Sequence, residues 1–108
     1  MANPFRGEVL LGVDGEPRTM RLTLGALASL ETRLESDSLM DMIARFEAGA
    51  IKVSDIISLL TAGLNGGGWA ISEAELKACQ IDGGPLRAAA AAGELLRLTF
   101  SLPDGSAS

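Results

Sequence analysis

The chain has 108 residues, 47% of them hydrophobic, and its 9 basic and 14 acidic residues give a formal net charge of −5. These values are typical of one globular domain and exclude wholesale disorder. The sequence has no histidine and one cysteine, which excludes histidine-based catalysis, an internal disulfide and multi-cysteine metal sites. The acidic balance and the scarcity of aromatic residues argue against a nucleic-acid-binding protein.

Membrane insertion and secretion are not indicated by the sequence. No stretch approaches the roughly 20 apolar residues that span a bilayer. Residues 1–8 lack the apolar segment of a signal peptide. We therefore expect a soluble cytoplasmic protein.

The N-terminal part of the chain predicts a β-hairpin over residues 6–24. Asp14 and Gly15 favour its turn, because glycine accepts the positive φ that tight turns require. Apolar and polar residues alternate over 20–24, so one face is apolar and the other is wet. A two-stranded hairpin is marginal alone, and we expect it to lie on helices or to pair with another chain.

After Leu24 the apolar residues follow a helical period. Leucines spaced over 24–34 predict one helix, and an apolar stripe over 39–46 predicts a second that ends at Gly49. A third helix is expected to begin after an N-cap at Ser54. It has almost no polar face, so it is expected to be the most central one. We expect it to end in the glycine-rich run at 63–68, because glycine is about 1 kcal/mol worse than alanine in a helix.

Two further helices are predicted near the C-terminus. Ser72 and Glu75 fit a capping box at the start of a short helix that runs to about Cys79. Pro85 suits the first turn of a last, alanine-rich helix that reaches about Phe100.

The predicted fold class is α+β, with an N-terminal β-hairpin followed by four or five short packed helices, and mostly helical. We expect a single domain over residues 1–101, helical from 25 to 101. The segment 102–108, rich in proline, glycine and serine, is expected to be a disordered tail.

No motif with recognisable chemistry emerges from this sequence. The glycine-rich run could be a phosphate-binding loop, but a P-loop needs lysine followed by serine or threonine, and here Trp69 follows. The run therefore favours a connection between helices. Cys79 has only Lys77 nearby to activate it, which favours a buried structural cysteine over a nucleophile.

Three pairs of carboxylates are candidates for an acid–base site. The pairs are Glu31 with Glu35, Asp37 with Asp41, and Glu73 with Glu75. Their positions on polar faces or at helix starts favour solvated or capping roles over catalysis. We therefore predict no catalytic residue, no cofactor and no metal site.

Five residues are candidates for binding a partner. Trp69 is either a core residue or an anchor, since tryptophan is enriched in interface hot spots. Met40 and Met42 lie in the second helix and belong either to the core or to an adaptable binding surface. Arg18 and Arg21 lie on the wet side of the hairpin and form either a salt-bridged surface or a docking patch.

An ordered set of short motifs covers almost the whole chain, from residue 6 to about residue 100. They are RGEVLL at 6–11, the turn at 14–15, RLTLGALASLE at 21–31, SDII at 54–57, AGL at 62–64 and the alanine-rich last helix. Together they resemble the tail assembly chaperone family of gene transfer agents and tailed phages. That family is also labelled gene transfer agent tail tube protein.

The resemblance implies a non-enzymatic role in tail assembly inside a bacterial producer cell. A tail assembly chaperone binds the tape measure protein, keeps it soluble and yields as tail tube subunits polymerise around it. The implied partners are therefore the tape measure protein and the tail tube protein, with a homo-oligomer left open and with no nucleic acid, membrane or small molecule. The alternative is a structural tail tube or minor tail subunit retained in the particle, whose hairpin pairs edge to edge with a neighbour.

Overall fold

The computed structural model describes residues 7–34 and 38–100, which form a two-stranded antiparallel hairpin followed by five helices. The strands are β1 (Val9–Val13) and β2 (Glu16–Met20). The helices are α1 (Leu24–Leu34), α2 (Leu39–Ala48), α3 (Val53–Gly66), α4 (Glu73–Lys77) and α5 (Gly84–Phe100). The predicted α+β class with mostly helical content is confirmed. The segment 102–108 lies outside the described residues.

The hairpin turns at Asp14 and Gly15, as predicted. Both residues have positive φ, 52° and 83°, which a two-residue turn of type I′ requires. The strands are shorter than the predicted span of 6–24. After Met20 the chain leaves β1 and bonds to α3 instead, because the Arg21 amide donates to the Gly63 carbonyl at 2.9 Å.

The end of α2 at Gly49 and the start of α4 after Ser72 agree with the predicted helix boundaries. Ser38 caps α2 through a reciprocal pair of bonds with Asp41, and Gly49 ends that helix in the left-handed conformation at φ 73°. Ser72 and Glu75 form the same reciprocal box at the start of α4.

The predicted N-cap at Ser54 is wrong. Helix α3 begins at Val53, so Ser54 lies inside its first turn. Capping comes from within the helix, because the Asp55 carboxylate accepts a hydrogen bond from the Lys52 amide at 3.2 Å.

Helix α3 ends at Gly66, within the glycine-rich run at 63–68 where its end is predicted. The glycines of this run pack closely on the hairpin. A Cβ at Gly66 would overlap the carbonyl oxygen of Arg21, and one at Gly67 would overlap that of Thr19. The strand packs so closely against the backbone at Gly66 and Gly67 that only glycine fits there.

Helix α3 lies at the centre of the molecule, as its apolar sequence predicts. It contacts β2, α1, α4 and α5, while β1 contacts α5. The expectation that the hairpin lies on helices is thus confirmed. The buried hydrophobic residues form one core cluster, and its fully enclosed members come from every element except α4; they include Leu11, Met20, Leu30, Met42, Leu59 and Leu95. No described helix has the length and apolar character needed to cross a membrane.

Candidate partner-binding surface

The outer edge of β1 is covered by the chain that leads into α5. The Asp82 amide donates to the Gly12 carbonyl at 2.9 Å. The Arg87 guanidinium donates to the Leu10 carbonyl at 2.7 Å. These two carbonyls would otherwise be free acceptors, so this edge offers little to a neighbouring strand.

The outer edge of β2 is covered by the C-terminal end of α3. Pro17 has no amide hydrogen to donate. The Thr19 carbonyl packs against Gly67, and the Arg21 amide is bonded to Gly63. A neighbouring strand would have to displace these contacts before it could pair with either edge of the hairpin.

An apolar groove of about 470 Å³ lies between α3, α4 and α5. We call it the α3–α5 groove. Its walls are mainly aliphatic, and the residues that form them from α3 are Val53, Ile56, Ile57 and Leu60. The opposite walls are Leu76, Lys77 and Cys79 on one side and Ile81, Pro85 and Ala88 on the other. Val53 is 71% exposed, so the rim of the groove is open to solvent.

This groove was not predicted from the sequence. The apolar residues of α3 predict a helix buried on all sides, but Val53, Ile56 and Ile57 are only partly buried or exposed. The neighbouring α4 is only 5 residues long and cannot cover the N-terminal half of α3. The sequence signal for this groove is the large number of apolar residues on α3, which a neighbouring helix as short as α4 cannot all cover.

Trp69 and Arg18 lie together near the C-terminal end of α3, where the Trp69 amide donates to the Leu64 carbonyl. The guanidinium carbon of Arg18 is 4.0 Å from the centroid of the Trp69 ring. Trp69 is half-buried and packs against the core, and Arg18 also lies 3.7 Å from a carboxylate oxygen of Glu16. Arg21 is half-buried nearby, with its carbonyl against Gly66. The structure thus brings three of the five candidate residues into one region.

The two methionine candidates lie on different sides of α2. Met40 is 69% exposed, and it stays a candidate. Met42 has no exposed surface and belongs to the core, so its assignment to a binding surface is wrong. Residues two positions apart in a helix point in very different directions, which explains the difference.

The described acidic residues serve mainly as caps and ion-pair partners. Asp55 is buried and accepts two hydrogen bonds from Arg45, at 2.7 and 2.8 Å, which hold the pKa of its carboxyl below the usual value. Glu73 accepts a bond from Ser58 and lies 3.5 Å from Arg33. Asp41 and Glu75 cap their helices, while Glu35 and Asp37 lie outside the described residues. No cluster of three metal-ligating side chains occurs within 7–34 and 38–100.

Cys79 lies just after α4 and forms part of the groove wall. It is half-buried, and its thiol donates to the Glu75 carbonyl at 3.2 Å. Desolvation, followed by the neighbouring Asp14 carboxylate, raises the pKa of the thiol. A raised pKa disfavours the thiolate, so this environment suits a structural cysteine better than a nucleophile.

A known protein family matches almost the whole chain. Residues 6–102 match the family described as "Phage tail tube protein, GTA-gp10". No curated protein and no solved structure matches the chain. The match extends over nearly the whole length, including the hairpin and all five described helices. The chain therefore belongs to the GTA-gp10 phage tail tube protein family.

Proposed function

We propose that this protein is a non-enzymatic tail assembly chaperone, which binds the tape measure protein in the cytoplasm of the producer cell. Membership of the family supports a role in the tail of a gene transfer agent or phage. The observation that carries the finer proposal is the α3–α5 groove, an open apolar channel on a helical body. Such a groove suits the apolar face of an amphipathic helix, and a tape measure protein is long and helical.

The rest of the surface supports a carrier that keeps its partner in solution. The net charge of −5 favours solubility and opposes self-association. The groove takes up one side of the molecule, so contact with one helix leaves most of the charged surface in water. A small contact of this kind is reversible, as required of a protein that must yield to tube subunits.

The absence of histidine and the environment of the carboxylates also support a binding role. The sequence offers no histidine for general base catalysis. Of the paired carboxylates, Asp41 and Glu75 cap their helices, Glu73 lies 3.5 Å from Arg33, and Glu31 is exposed on α1. We therefore propose no reaction for this protein.

A structural tail tube or minor tail subunit is the second candidate, and the description of the family favours it. In that role the hairpin would pair with a neighbouring subunit along a strand edge. The described sheet has two strands, and both of its edges are covered by α3 and by the segment leading into α5. These contacts favour the chaperone over a subunit that assembles by strand pairing.

Quantitative mass spectrometry of purified particles and of the producing lysate tests the proposal. We expect the protein to be absent from particles, present in the lysate and co-purified with the tape measure protein. Copies near-stoichiometric with the major tail protein in mature particles would overturn the chaperone and establish the structural subunit.

A further inference from the structure

We propose that residues 80–82 form a strap that prevents β1 from pairing with β1 of a second copy of this chain. This device goes beyond the proposed function and does not depend on it, because it concerns the hairpin and not the groove. The hydrogen bonds of the strap and the different composition of the two strands support it.

The strap lies beside β1 and forms a single antiparallel bridge with it. Two backbone hydrogen bonds flank this bridge. The Asp82 amide donates to the Gly12 carbonyl at 2.9 Å, and the Asp14 amide donates to the Gln80 carbonyl at 2.7 Å. The strap therefore occupies backbone groups with which an added antiparallel strand would pair.

β1 carries none of the features by which an edge strand protects itself. Its five residues, VLLGV, include no charge and no proline, and Leu10 is 41% exposed. Uncharged apolar strands of this kind pair readily with another chain when their edge is open. β2 differs, since Pro17 lies there between Glu16 and Arg18. The protection of β1 therefore has to come from another part of the chain.

The strap replaces an apolar edge with a short polar one. Gln80 and Asp82 are exposed on it. Gly83 and Gly84 follow at positive φ, 90° and 74°, where the chain turns into α5. A segment with a single bridge is too short to support a further strand, and the exposed carboxylate adds a charge at the edge. The strap thus protects β1 without creating a new open edge.

The strap approaches β1 this closely because Gly12 has no side chain. A Cβ at Gly12 would overlap the Asp82 side chain, whose carboxylate also accepts a hydrogen bond from the Gly15 amide at 3.2 Å. The Arg87 guanidinium covers the Leu10 carbonyl on the same edge, at 2.7 Å. The contact therefore depends on residues of both segments.

A second copy of β1 is the strand that we expect on this edge once the strap is displaced. Two identical strands that pair antiparallel are related by a two-fold axis, so each contributes the same groups to the contact. Because β1 has no charged side chain, the net charge of −5 lies outside it and places no like charges opposite one another in this pair.

Sedimentation velocity of matched variants of the 108-residue chain tests the proposal. Asp82→Pro removes the amide that donates to Gly12. It suits the local turn, which has Gly83 at φ 90° and a 2.9 Å bond from the Gly84 amide to the Ile81 carbonyl, because proline is common at the second position of a type II turn. Asp82→Gly is the control, since it also loses the carboxylate but keeps the amide.

We expect the mean mass of Asp82→Pro to be about twice that of wild type, as a two-fold pair gives, and that of Asp82→Gly to be unchanged. Hydrogen exchange over residues 79–84, followed by mass spectrometry, should become faster in Asp82→Pro. Adding Leu10→Lys to Asp82→Pro should return the mass to the wild-type value, since a lysine on an edge strand opposes pairing.

Gly12→Ala displaces the strap by a different route and carries the test if circular dichroism shows Asp82→Pro to be unfolded. It should raise the mean mass in the same way. Combining it with Asp82→Gly should restore the wild-type mass, because the glycine removes the side chain that the new Cβ would overlap.

Three outcomes would overturn the role of the strap. They are faster exchange over residues 79–84 with no rise in mass, a rise in mass that Leu10→Lys does not reverse, and unchanged exchange in both Asp82→Pro and Gly12→Ala. None of them concerns binding of the tape measure protein, so the proposed function stands or falls by its own experiment.

Discussion

Asp55 and Arg45 form a two-point ion pair that joins α2 to α3. The Nε and Nη2 atoms of Arg45 donate to the two carboxylate oxygens of Asp55, at 2.8 and 2.7 Å. Asp55 is 4% exposed, yet it also accepts the Lys52 amide at the start of α3. One buried carboxylate therefore caps one helix and holds a second against it.

Replacement of this carboxylate should reduce stability in a pH-dependent way. We expect Asp55→Asn to lower the free energy of unfolding at pH 7 by about 2 kcal/mol, the scale of hydrogen bonds to a charged group. The folded-state pKa of Asp55 is lowered, so its contribution is present above the ordinary aspartate pKa and disappears as the pH falls through the folded value. Urea denaturation from pH 7 down to pH 3 measures the difference between wild type and variant.

The gap between the two proteins should narrow as the solution becomes more acidic. Glu47→Gln is the control, because Glu47 is an exposed acid on α2, and its replacement should change stability little at any pH. A constant gap between wild type and Asp55→Asn across the pH range would show that packing, and not the charge, is responsible.

The glycines at the end of α3 should be intolerant of a methyl group. Gly66→Ala and Gly67→Ala force a Cβ onto the carbonyl oxygens of Arg21 and Thr19, so each should cost about 1–3 kcal/mol, as overpacking does. Gly93→Ala in the interior of α5 is the matched control, since its nearest neighbour would be a Phe46 ring carbon at 4.0 Å. It should stabilise the protein by about 0.5–1 kcal/mol through helix propensity.

Thermal unfolding followed by circular dichroism distinguishes these variants. One kcal/mol corresponds to a shift of about 4–8 °C in Tm for a domain of this size. Equal Tm values for Gly66→Ala and Gly93→Ala would contradict the close packing of α3 on the hairpin.

Trp69 and Arg18 should be energetically coupled. A double-mutant cycle with Trp69→Ala and Arg18→Ala is expected to give a coupling energy of about 0.5–1 kcal/mol, typical of an exposed cation–π contact. Chemical denaturation of the four proteins provides the cycle, with Arg97→Ala in place of Arg18→Ala as the uncoupled control. Additive effects of the two replacements would rule out the interaction.

The same Trp69 variant addresses its candidacy as a partner anchor. If Trp69 is an anchor, Trp69→Ala should reduce co-purification of the tape measure protein, provided that the variant stays folded. Unchanged co-purification would assign Trp69 to the fold alone.

Cys79 should react slowly with thiol reagents at neutral pH. Desolvation and the nearby Asp14 carboxylate raise its pKa, so a smaller fraction is thiolate than in a free cysteine. The rate of iodoacetamide alkylation against pH should therefore have its midpoint above the ordinary cysteine value. Asp14→Asn should move that midpoint down, whereas Glu16→Gln, a change on the same hairpin, should leave it in place. A midpoint at or below the ordinary value would contradict the assigned environment.

Local signals predicted the elements of this fold well. The capping box at Ser72, the left-handed stop at Gly49 and the Asp14–Gly15 turn depend on residues within a few positions of one another. The local sequence specifies such interactions, because each hydrogen bond joins residues that are close together in the chain. The Ser54 prediction failed because a second local cap, from Asp55, competed with it.

The candidate site was much less accessible to sequence reasoning. Met40 and Met42 are indistinguishable by type, and only the orientation of α2 against the core separates them. Trp69 and Arg18 are 51 positions apart by their numbering, and the contact between them depends on how the hairpin lies on α3. Patterns of residue type carry no information about which of two apolar faces a neighbouring helix covers.

The sequence by itself determined the α+β class, the order of the elements and the absence of histidine chemistry, because these follow from composition and short-range hydrogen bonding. Only the tertiary structure decided that both hairpin edges are covered and that an apolar groove stays open beside α4. It also decided that the α3 backbone at Gly66 and Gly67 packs directly against the hairpin. Those features depend on contacts between distant segments, where the lengths of the elements and the shapes of their side chains must match in three dimensions.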